Sequence, residues 1–139
     1  MNLNLFIGKP DTLDTGKGRT LAIPLEQIKL NSEEATSNKT FFRGSISEEH
    51  CIKVPFSFYA ILTTSEEKRY VFKSQIKPNT EEQAANMNSG TKELVLKPED
   101  WLDCSDTDIK RSTKKDVGGI LFFNDGILHS ILIIRYNCY

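Results

Sequence analysis

Long apolar runs, paired cysteines and an excess of one charge are all missing from this 139-residue chain. Its apolar stretches fall well short of the ~18–20 residues that a bilayer-spanning helix needs. No membrane interaction is therefore expected. The opening "MNLNLFIGKPD" has no basic start, extended apolar segment or small-residue cleavage site, so no secretory signal is read there. Cys51, Cys104 and Cys138 form no C-x-x-C pair, and their odd number leaves one unpaired in any intramolecular scheme. Reduced thiols and a cytoplasmic setting are the expectation, with export by another route left open. A net charge of −1 gives no global attraction to nucleic acid or anionic lipid. Internal repeats, low-complexity tracts and linkers are absent too, which points to a single domain over residues 1–139.

What is present suits a packed domain. Hydrophobic residues make up 38% and charged residues 27%, which argues against disorder. A domain of this length buries roughly 65–70% of its unfolded surface, enough to need no disulfide or metal.

Period-two patterning dominates. From Ile52 to Leu62 the even positions read Ile, Val, Phe, Phe, Ala, Leu, while Lys53, Pro55, Ser57 and Tyr59 form a wetter face. Pro55 lacks an N–H, so this strand is expected at a sheet edge or with a bulge. The next strand, about Arg69 to Lys77, sets Tyr70, Phe72 and Ile76 against Arg69, Lys73, Gln75 and Lys77, with "TTSEEK" as the connecting loop. A second hairpin joins "VGGILFF" to "ILHSILIIRYNCY" through Asn124-Asp125-Gly126, because Asp-Gly supplies the positive φ angles of a tight turn. Ile131–Ile134 is apolar on both faces and reads as a central, doubly covered strand. Further strands are expected at Asn2–Ile7, Thr40–Ser47 and Lys92–Lys97. Thr20–Leu30 fits a strand or, from Pro24, a short helix. Thr80-Glu81-Glu82-Gln83 is a capping box that starts a helix, with Gly90 as its stop. A further turn begins at Pro98 and carries Trp101 and Leu102. The polar segment Ser105–Asp116 reads as an exposed loop. The fold class is therefore mainly β: an antiparallel sandwich or partly open barrel of about seven or eight strands with one or two short helices.

Several motifs invite chemistry and fall short of it. Asp14-Thr15-Gly16 has the residues of an aspartic-protease triplet, but Lys17 follows it, where it would disturb the sharing of a proton. Gly16-Lys17-Gly18 lacks the Ser/Thr and the upstream glycine spacing of a phosphate loop. The stretch is read as a turn. Asp103, Asp106 and Asp108 cluster as calcium ligands do, without the EF-hand spacing and with Lys110, Arg111, Lys114 and Lys115 close behind. His50-Cys51 and His129 do not supply four convergent zinc ligands, and His129 alternates onto the face of Ile131 and Ile133. No cofactor, metal or catalytic residue is expected.

Binding surfaces are better candidates. Lys53, Tyr59, Arg69, Lys73, Gln75 and Lys77 share the polar face of the first hairpin, where cations beside an aromatic can hold phosphates and stack a base. The alternative is a lysine-rich solvated face that discourages aggregation. Trp101, the sole tryptophan, either stacks on a sugar or anchors a partner, or packs with Leu102 beneath the sheet. Without a convergent acid/base set, the leading expectation is a non-enzymatic protein. Its compact β scaffold would engage, and in one form inhibit, another protein through loops or an exposed edge. The rivals are a carbohydrate-binding sandwich and a nucleic-acid or polyanion module that uses the basic hairpin.

Overall fold

Alternation along the chain becomes two antiparallel sheets that share one interior. The computed structural model describes residues 1–10, 18–29, 39–77, 80–104, 109–111 and 117–136. In the first sheet, β1 (Asn2–Gly8) lies between β2 (Arg19–Ile23) and β6 (Phe56–Thr63). Beyond β6 follow β7 (Arg69–Ile76), β9 (Leu102–Asp103) and β10 (Lys110–Arg111). The second sheet runs β3 (Glu26–Ile28), β4 (Lys39–Ser45), β12 (Ile127–Tyr136), β11 (Val117–Asn124) and β8 (Thr91–Leu96), and β5 (Ile52–Lys53) also pairs with β12. Of the two architectures expected, this is the sandwich.

The interior is an aromatic chain wrapped in aliphatics. Phe123 of β11 meets Phe56 of β6 at 6.2 Å between ring centroids and so joins the two sheets. Phe56 then contacts Phe58, Phe58 stacks on Phe72, and Phe72 meets Trp101 at 5.4 Å. Each fully buried side chain of this size contributes about 1.5–3 kcal/mol.

Local signals set most elements. Asp125 (φ 50°) and Gly126 (φ 79°) form the expected two-residue turn, with Asn124 opposite Ile127. The Thr80 hydroxyl accepts from the Gln83 N–H at 3.0 Å and starts α1 (Glu81–Met87). A short 3-10 turn at Pro98–Asp100 leads into Trp101.

Several expectations need correction. The alternating segment Ile52–Leu62 is not one strand: β5 belongs to the second sheet and β6 to the first. The chain crosses between sheets at the cis Val54–Pro55 bond, so β6 is an interior strand and Pro55 is not at an edge. The even residues stay buried because both sheets face the same core. Of the two readings left open for Thr20–Leu30, the strand holds: β2 and β3 lie on either side of Pro24 and Leu25. A bulge between Phe122 and Phe123 leaves His129 with no residue opposite it on β11, while its carbonyl oxygen accepts from the Ile46 N–H at 2.9 Å on the other side. The His129 side chain turns out beside the Phe122 ring (6.3 Å), away from Ile131 and Ile133. Within the segment read as an exposed loop, Lys110–Arg111 pairs with β9. Splitting of segments and these short strands raise the count above the seven or eight expected. β12 is central as expected, but Leu132 and Ile134 on its second face are only half-buried. Residues 11–17, including Asp14, and Asp106 and Asp108 lie outside the described residues.

Candidate functional site

The antiparallel register of β6 and β7 puts Ser57 opposite Gln75, Tyr59 opposite Lys73 and Thr63 opposite Arg69. Four of the residues singled out in the sequence, Tyr59, Arg69, Lys73 and Gln75, therefore share one outer face. The Lys73 ammonium lies 5.2 Å from the centroid of the Tyr59 ring, a cation–π contact. Phe6 sits opposite Tyr59 on β1, with ring centroids 6.4 Å apart. Tyr59 is thus flanked on both sides and only partly exposed. Arg69, Lys73, Gln75 and Lys77 take part in further contacts within the protein. The next row of this face is apolar: Ile61, Val71 and Leu102 lie side by side across β6, β7 and β9. Lys77 is exposed just beyond the end of β7.

Two members of the expected set are elsewhere. Trp101 is fully buried, which removes it as a surface for a sugar or a partner and leaves its packing role. Its position follows from the 3-10 turn, which ends by passing the chain from the second sheet to the first. Lys53 lies on β5 and lines a different feature, a cleft of about 540 Å³ at the crossover. Ile7, Ile52 and Phe56 form its apolar part, and Lys9 and Arg19 join Lys53 around it. The Arg19 guanidinium donates to the Cys51 carbonyl oxygen at 3.2 Å. Gly18 is required here, because a Cβ would lie 2.5 Å from the Ile7 carbonyl oxygen. Ser57, expected on the wet face, is buried, and its hydroxyl has no hydrogen-bond partner among the described residues.

A smaller recess of about 310 Å³ brings Cys51, Glu48 and His129 into one lining. A thiol nucleophile needs a base within hydrogen-bond reach. Cys51 and Glu48 are joined through the backbone alone, the Cys51 N–H donating to the Glu48 carbonyl oxygen at 3.2 Å. Among the described residues no side-chain hydrogen bond links these three, so the geometry does not activate the Cys51 thiol. Nor do three or more His, Cys, Asp or Glu side chains converge as metal ligands among the described residues. No described helix is long and apolar enough to cross a membrane.

The edge formed by β8 is the feature that the sequence reading passed over. Asp125 N–H donates to the Gly90 carbonyl oxygen at 2.9 Å, and the Asp125 carboxylate accepts from the Gly90 N–H at 2.8 Å. This locks the register of β8 on β11, with Lys92 opposite Phe123, Leu94 opposite Leu121 and Leu96 opposite Gly119. Because antiparallel ladders alternate, those residues bond to β11, while the backbone groups of Thr91, Glu93 and Val95 point away from it. No described strand lies beyond β8. Val95 is 57% exposed and Leu94 36%. Other edges are blunter: β3 has three residues, β10 has two, and β2 is stopped at Pro24. The signal available in the sequence was "LVL", where apolar residues occupy both phases of one strand.

The chain matches no protein-family model, no curated protein and no solved structure.

Proposed function

We propose that this chain is a non-enzymatic binding protein whose contact element is the open edge at β8, where another protein adds a strand to the second sheet. The observation that carries this reading is an edge strand of six residues without proline or glycine, with Leu94 and Val95 exposed beside outward-directed backbone groups. Strand addition draws affinity from main-chain hydrogen bonds and specificity from alternate side chains. Inhibition of the bound protein is one form such engagement takes. The rivals have less to work with. Trp101 is enclosed and offers no sugar platform, and Lys73 already occupies one side of the Tyr59 ring on which a base would stack.

The test is affinity capture from the native host with mass spectrometry, comparing the wild type with Val95→Lys. A lysine at this edge position leaves the ladder to β11 intact and obstructs an incoming strand. A protein retained by the wild type and lost with the variant is the expected result. Capture of glycan or bulk nucleic acid, unchanged by the variant, would replace this reading with one of its rivals.

A further inference from the structure

We infer that the strand β8 accepts is β8 of a second copy of this chain, so that two second sheets fuse into one continuous sheet across a two-fold axis at Val95. This rests on the reading of β8 as the contact edge and names its occupant. The sequence Glu93-Leu94-Val95-Leu96-Lys97 is antisymmetric in charge and symmetric in apolar character about Val95. An antiparallel copy centred there sets Val95 against Val95, Leu94 against Leu96, and each Glu93 against the Lys97 of the other copy. Directly opposed side chains of opposite charge stabilise a sheet, and like charges oppose it.

Neighbouring registers are worse. Centring on Glu93 opposes two carboxylates, and centring on Leu94 sets Glu93 against Val95 and Lys92 against Leu96. A two-fold axis perpendicular to a sheet pairs residues that lie on the same face, and the register about Val95 satisfies this. The backbone agrees as well. Val95 is a residue whose N–H and carbonyl point outward, so it meets its counterpart as a hydrogen-bonded pair. Glu93 and Lys97 form no ion pair within the chain among the described residues, and both are exposed. Lys97 follows the last residue of β8 with its backbone still extended (φ −69°, ψ 144°) and its carbonyl oxygen accepting from the Asp100 N–H at 3.0 Å. Strand alternation carried one residue past β8 therefore assigns it to the face of Glu93 and Val95.

An edge contact of this kind is small, so the dimer is expected to be weak and concentration-dependent. Sedimentation velocity of the full chain at micromolar to millimolar concentration reads it directly. The wild type is expected to show a reversible monomer–dimer equilibrium, and Val95→Lys a monomer. Glu93→Lys alone opposes two lysines on each side of the axis and weakens the dimer about tenfold. Glu93→Lys combined with Lys97→Glu restores the opposed charges and the wild-type constant. A wild type that stays monomeric throughout overturns the self-pairing. So does a dimer that persists in Val95→Lys, or a double variant that fails to rescue. None of these results bears on capture of a different protein by the edge, which the Val95→Lys capture experiment decides separately.

Discussion

Replacing Trp101 by phenylalanine sets two opposing effects against each other at one buried position. The indole is fully enclosed and packs against Phe72 at 5.4 Å, yet its Nε1–H has no hydrogen-bond partner among the described residues. Phenylalanine has about three fewer side-chain non-hydrogen atoms. At about 0.8 kcal/mol per buried methylene-sized group, their loss costs roughly 2–3 kcal/mol. Removing a stranded buried donor returns about 1–3 kcal/mol. The two nearly cancel, so Trp101→Phe is expected to change stability by no more than about 1 kcal/mol. Trp101→Ala keeps the relief but leaves a cavity, and the usual loss for such truncations is about 3–5 kcal/mol. Urea unfolding followed by far-ultraviolet circular dichroism is the suitable assay, because Trp101 is the only tryptophan and the variants lose its fluorescence. A shift in midpoint at constant slope would report stability alone. If Trp101→Phe destabilises nearly as much as Trp101→Ala, the indole N–H is bonded and the reasoning fails.

Other consequences follow from neighbouring residues. Phe58 is 1% exposed and lies between Phe56 and Phe72, so Phe58→Ala should cost about 3–5 kcal/mol. Tyr59→Ala, on the opposite face, should cost clearly less in the same urea series, and equal losses would mean that the outer face is as tightly packed as the core. Ser57→Ala removes a buried hydroxyl that has no partner among the described residues and is expected to be neutral or to raise the thermal midpoint; marked destabilisation would reveal a hidden hydrogen bond. Glu66, in the loop between β6 and β7, pairs with Arg135 of β12, and the guanidinium's hydrogen bond holds its carboxyl below the usual carboxylate range. A lowered folded pKa gives stability that is present above the unfolded value of about 4.3 and lost as pH falls through the folded value. The advantage of the wild type over Glu66→Gln should therefore be small at neutral pH, since Glu66 is exposed, and should vanish in acid. An advantage that grows as pH falls would contradict this.

Much of the fold was legible because its causes are local. Alternation marked Phe56, Phe58, Tyr70 and Phe72 as interior, the Asp125-Gly126 pair encoded its turn, and Thr80 encoded the start of α1. The hairpin of β6 and β7 was legible for the same reason, since a short loop leaves two strands little choice but to pair. That also placed Tyr59, Arg69 and Lys73 together. Tertiary structure decided the rest. Alternation says which way a side chain points but not which sheet its strand joins. Ile52–Leu62 therefore kept its phase while dividing between two sheets, and Lys53 parted from the basic face. The bulge that turns His129 outward depends on how β11 and β12 share their ladder. Trp101 became core because β9 carries the chain beside β7, where Phe72 waits. An edge is likewise defined by what does not lie beside it. One more neighbouring strand would cover the outward backbone groups of β8, and only the order of strands among the described residues leaves that edge open beside Val95.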